Sequence, residues 1–233
     1  MKINHMGRIN ILLANADNYF TNEEIQIIHD AVHRAEVYIS SKFNEFDYDL
    51  DLLVARPSYM QDVIPEDGIC GRTFRSRLLT VVIDKDQFPV SADAIYETTC
   101  HELSHSLRWE KVPEYAETLF DGMILEGLAV ALEEQAVKDA QCSKVHFFLQ
   151  NVQATTDEEY QKMITTLGPL FEKTEYDYET IFYTGDDTLP RWAGYKLGYY
   201  YVKKYLSETG HTIEEATLES YKNFIRQASW REV

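Results

Sequence analysis

Residues 91–112 read SADAIYETTCHELSHSLRWEKV, and within them stands His101-Glu102-Leu103-Ser104-His105. No proline or glycine interrupts the stretch, so it reads as one helix. On a helix, residues four apart share a face. Both imidazoles can then reach one metal ion, and Glu102, one step round, borders the open coordination position. Two neutral nitrogen ligands beside a carboxylate able to take a proton from metal-bound water is the arrangement of a catalytic zinc centre. The flanking Thr98, Thr99, Ser104, Ser106 and Leu107 are uncharged, which suits a buried helix better than a solvated one.

The chain carries its own control. His29 and His33 have the same spacing, in a segment from Thr21 to about Ser41 that opens with a Thr21-x-x-Glu24 capping box. There Ile25, Ile28, Val32, Ala35 and Ile39 form the apolar stripe, which sets His29 at its edge and His33 toward solvent. No glutamate stands between the two histidines, so they read as a surface pair.

Catalytic zinc usually takes three protein ligands. Downstream, Met123–Leu132 is a strongly apolar helical run with a single carboxylate, Glu126, in its middle, before Glu133 and Glu134. A lone buried glutamate is costly unless it is paired or metal-bound. Glu126 is therefore the expected third ligand, and the small Gly127 and Ala129 would let another helix approach.

On these residues the chain resembles the gluzincins, metallopeptidases in which H-E-x-x-H is followed by a glutamate ligand on the next helix. More narrowly it resembles the YjaZ-type family of predicted zinc-dependent proteases. The resemblance is carried by His101–His105, by Leu125-Glu126-Gly127-Leu128-Ala129 and by Ala193-Gly194-Tyr195-Lys196-Leu197-Gly198-Tyr199. It implies a zincin-like α+β fold and zinc as cofactor. It also implies that the strand just before the motif helix, Leu78–Ile83, borders the cleft and pairs with extended peptide; an interior strand is the competing reading. In thermolysin-like members an aspartate four residues after the glutamate ligand orients the first histidine. Val130 stands there, so the partner of His101 must come from elsewhere.

Eight of the sixteen tyrosines fall between Tyr176 and Tyr205. Peptide hydrolysis passes through a tetrahedral oxyanion that needs a donor beyond the metal, and gluzincins supply it from a downstream Tyr or His. Tyr195 is the first candidate and Tyr199 the second, with His211 and His146 outside them. Gly194 and Gly198, four apart, give that helix a smooth stripe. The expected chemistry is a zinc-dependent peptide hydrolase with His101, His105 and Glu126 as ligands, Glu102 as base and Tyr195 or Tyr199 on the oxyanion. The competing classes are a hydrolase of small amides and a metal-stabilised binding or regulatory protein with little turnover.

A chain of 233 residues, 45% hydrophobic, can bury a sizeable core as one domain, with a sheet lobe over about 1–90 and a helical lobe over about 91–233. Its net charge of −17 argues against nucleic acid and anionic membrane as partners; a peptide or protein is the expected one. Cys70, Cys100 and Cys142 are an odd, widely spaced set, which favours a reducing, cytoplasmic setting over a secreted one. Cys100 points away from the histidine face and reads as packing. Ile9–Ala14 is too short for a signal core and suits a strand; a secreted protein stripped of its leader would look the same.

Strands are expected at 8–14, 47–55, 69–75 and 78–84, with helical structure from Ser91 on. Thr156-x-x-Glu159 and Thr212-x-x-Glu215 read as capping boxes, and Gly168 and Gly210 as stops. Residues 173–189 read as a loop, with Pro190 in the first turn of the helix that follows.

Overall fold

The structure is a computed structural model that describes residues 6–112 and 116–227. It is α+β, with a small mixed sheet and a helical majority. The strands are β1 (Ile9–Leu13), β2 (Leu50–Ala55), β3 (Ile69–Arg75) and β4 (Leu78–Ile83). The helices are α1 (Asn22–Lys42), α2 (Ala92–Lys111), α3 (Leu119–Asp139), α4 (Phe147–Gln153), α5 (Asp157–Leu167), α6 (Ala193–Thr209), α7 (Ile213–Thr217) and α8 (Tyr221–Gln227). None of these helices is long and apolar enough to cross a membrane.

Two compact units are distinguished. The first takes the chain up to Lys111 together with Leu132–Phe148, and the second takes Val112–Ala131 and the chain from Leu149 on. In the first, the sheet order is β1-β2-β4-β3. β1 and β4 both run parallel to β2, and β3 returns antiparallel to β4. This corrects the expectation that Leu78–Ile83 pairs with extended peptide, and the competing reading of an interior strand holds. β4 lies between β2 and β3, and its residues from Leu79 to Ile83 are buried. The Val- and Ile-rich run is the signature of a strand covered on both faces. The edge strands are β1 and β3.

α1 starts where its capping box places it: Thr21 Oγ1 accepts from the Glu24 N–H, and the Glu24 carboxylate accepts from the Thr21 N–H. Ile28, Ala31, Val32, Ala35 and Ile39 form its buried stripe, and His29 and His33 are exposed as the pattern requires. α2 begins after Ser91, whose Oγ accepts from the Ala94 N–H. Every residue from Ile95 to Ser104 is buried, so α2 is a core helix rather than a surface one.

In the second unit, Gly127 of α3 and Gly198 of α6 meet backbone to backbone. A Cβ on Gly127 would overlap the Gly198 carbonyl, and one on Gly198 would overlap the Met123 carbonyl. α5 and α7 carry the expected capping boxes. Gly210 ends α6 at φ 74°, a conformation glycine adopts without strain. Pro190 does not open α6. The helix starts three residues later at Ala193, behind a left-handed Trp192, because Pro190 is used in a turn closed by Ala193 N–H to the Pro190 carbonyl. The segment 173–189 is not wholly irregular, since Thr180–Thr184 forms a π-helical turn.

Candidate metal centre

The position of Glu102 follows from β3 and α2. Thr73 of β3 sets its hydroxyl 2.7 Å from Glu102 Oε2 and 3.0 Å from the Glu102 carbonyl. Gly71, two residues back on the same strand face, leaves the space the carboxylate fills: a Cβ there would lie 2.5 Å from Glu102 Oε1. The base candidate is thus gripped by one strand through a hydroxyl donor and a missing side chain. Neither Thr73 nor Gly71 was legible as a site residue, because strand periodicity says nothing about which helix a strand face will meet.

His101 and His105 lie one turn apart on α2, their ring centroids 5.0 Å apart and their planes at 75°. His101 is buried and His105 half-buried. The partner of His101 missing from position 130 is Glu133, whose Oε2 lies 2.7 Å from His101 Nδ1. Glu133 is seven residues after Glu126, two helical turns along nearly the same face of α3. It is buried rather than part of a polar helix end. A carboxylate on Nδ1 holds the proton there and leaves Nε2 with its lone pair, the tautomer a metal ligand needs.

Behind Glu133 the chain of acids continues. Glu97, one turn before His101 on α2, is wholly buried. Its oxygens accept the His146 backbone N–H at 3.1 and 3.2 Å. Burial first, and then the adjacent Glu133 charge, push the Glu97 carboxyl up to about 10. The raised value favours the protonated form of Glu97, which can donate a hydrogen bond to Glu133. Burial holds the His146 imidazole below its ordinary value. Glu97, Glu133 and His146 each offer an atom within 4.8 Å of the others.

His101, His105 and Glu126 form the other such group: one ligand atom from each lies within 4.8 Å of the rest. Two imidazole nitrogens and a carboxylate oxygen are the donor set catalytic zinc takes, so the residues fit that metal. Tyr195 packs edge-to-face on Phe182, with centroids 5.7 Å apart. Tyr199 is buried on α6, beside the Gly198 contact with α3, and its ring faces Lys203 Nζ at 5.6 Å. Burial, and then the charges of Asp121 and Glu126, raise the Tyr176 hydroxyl. Burial and Glu126 do the same for Tyr178. These two tyrosines sense the Glu126 carboxylate, and sequence reasoning passed over them within the tyrosine-rich segment. Cys100 is buried and its thiol is raised by burial, in keeping with a packing role.

A buried H-E-x-x-H helix whose histidines converge with a glutamate defines the class: a protein with a His/His/Glu centre able to take a metal ion. Within that class the chain belongs to the family described as predicted Zn-dependent protease (DUF2268), whose model matches residues 28–226. The metal of that family is zinc. No curated protein and no solved structure matches the chain.

Proposed function

We propose that the protein is a gluzincin-like, zinc-dependent peptide hydrolase, with His101, His105 and Glu126 as ligands and Glu102 as general base. The convergence of those three residues, each offering an atom within 4.8 Å of the others, carries this reading. Zinc bound there would supply a Lewis acid and lower the pKa of coordinated water to about 7. Glu102 takes a proton during attack on the peptide carbonyl and gives it to the departing amine. The Thr73 hydroxyl donates to Glu102 and keeps its carboxylate from turning away. Glu133 fixes the tautomer of His101. Tyr195 is the first candidate donor to the oxyanion and Tyr199 the second. The substrate lies extended along β3, the edge strand whose Gly71 and Thr73 touch Glu102, and adds a strand to it.

The test is metal analysis together with a mixed peptide library. The expected result is about one zinc per chain, peptide cleavage abolished by chelator, and cleavage restored by zinc. Glu102→Gln should keep the zinc and lose on the order of 100-fold or more in turnover. Full zinc retention in His101→Ala, His105→Ala and Glu126→Ala alike would overturn the ligand assignment.

A further inference from the structure

We infer that Arg75 and Trp109 form a subsite that selects an acidic side chain of the extended peptide, two or three residues from the scissile bond. The inference rests on the peptide-hydrolase reading and adds a substrate class to it. The chain has 39 acidic and 22 basic residues, yet between Ile69 and Ile83 it has three arginines, at 72, 75 and 77, and no acid. Arg77 is held by Glu110, Nε to Oε2 at 3.3 Å. Arg34 and Arg56 are likewise matched to Asp93 and Asp17. Arg75 is exposed and differs from these. Its Nη1 donates to the Phe74 carbonyl at 2.8 Å, and its guanidinium carbon lies 5.7 Å from the Trp109 ring centre. Among the described residues it has no carboxylate partner.

The position of this pair is what gives the charge a use. Trp109 follows Glu102 by seven residues on α2, so it lies about 10 Å further along nearly the same helix face. An extended peptide covers that distance in about three residues. The β3–β4 ladder slips between Thr73 and Arg75, and such irregularities re-aim side chains beside sites. A guanidinium laid over an indole is already ordered, with N–H groups left to grip a carboxylate as a fork. Arg72 is not part of the subsite. It sits on the strand face opposite Gly71 and Thr73, over Phe74 at 4.9 Å.

The experiment uses zinc-loaded protein and peptides carrying Glu, Gln or Lys at each position within three residues of the cleaved bond. What is read is the ratio of kcat/KM for Glu over Gln peptides within each variant. Wild type should show a ratio of about 10 at one such position, the size of a charge-assisted hydrogen-bonded pair. Arg75→Ala should bring the ratio to about one, and Arg75→Glu should favour Lys at the same position, both with unchanged zinc content. A wild-type ratio of one, or an undiminished ratio in Arg75→Ala, overturns the subsite. If wild type cleaves no peptide, the peptidase reading fails instead. The subsite is then judged by fluorescence anisotropy with labelled Glu and Lys peptides: a roughly tenfold weaker Glu-peptide affinity in Arg75→Glu keeps it, and equal affinities overturn it.

Discussion

Gly71 is the residue at which backbone economy bears most directly on chemistry. Its missing Cβ is the space occupied by Glu102, and a methyl group would come within 2.5 Å of Oε1. The clash is with the end of a flexible side chain, so the fold can absorb it by moving Glu102. We therefore expect Gly71→Ala to keep its zinc and nearly its melting temperature, while kcat falls at least tenfold because the base is displaced. Loss of the metal along with activity would show that the substitution disturbs α2 itself. Tyr195 tests a different part of the transition state. An oxyanion donor acts there and hardly in the ground state, so Tyr195→Phe should lower kcat roughly 10- to 1,000-fold with little change in KM. A packing tyrosine would lose melting temperature instead and leave turnover near normal. If Tyr199→Phe shows the catalytic loss and Tyr195→Phe does not, the donor is Tyr199, one turn further along α6.

At the scale of the element, α3 explains why the candidate ligand Glu126 was readable and the acid beside His101 was not. Glu126 stands out because it interrupts an apolar run. Glu133 sits next to Glu134 at the start of what looks like a polar end, three residues beyond the place where thermolysin-like metallopeptidases keep their acid. Three residues is nearly one turn, so helical geometry returns the carboxylate to much the same face. A search at one and two turns after Glu126, rather than at position 130 alone, would have found it. Glu133→Ala should weaken zinc binding about 10- to 100-fold, measured by competition with a chromophoric chelator; unchanged affinity would make the bond to His101 incidental. Glu97 on α2 supplies a pH test. Its folded-state pKa of about 10 lies above the ordinary 4.5, so its contribution to stability is complete below about pH 4.5. That contribution is lost as pH rises toward 10, because the fold requires a proton that solution increasingly withholds. Glu97→Gln needs no such proton, and its melting temperature between pH 5 and 9 should fall less steeply than that of wild type. Parallel slopes would mean that Glu97 is not held neutral.

Across the whole molecule, what the chain made legible was what periodicity and capping encode. The α+β class, the extended segments, the capping boxes of α1, α5 and α7 and the small residues Gly127 and Gly198 as places of close approach all followed from local pattern; that these two glycines meet each other did not. What escaped depends mostly on pairing between distant segments: the order that makes β3 an edge and β4 interior, and Thr73 against Glu102; the late start of α6 at Ala193 is local, set by the turn at Pro190. Strand order is set by which strands find each other in the folded chain, and no single strand's composition records it. The metal should tie these parts into one thermodynamic quantity. Buried acids such as Glu126 and Glu133 cost free energy unless compensated, and a cation that binds only the native chain stabilises it by mass action. With free zinc at about 1,000 times its dissociation constant the gain is about 4 kcal/mol. A chain of this size gains about 2–4 °C per kcal/mol, so chelation should lower the melting temperature by about 8–16 °C. His105→Ala, lacking one ligand, should melt near the chelated wild type and respond little to added zinc. A wild-type melting temperature that is the same with chelator and with zinc would mean that the ion is not part of the native state, and the zinc assignment would fall with it.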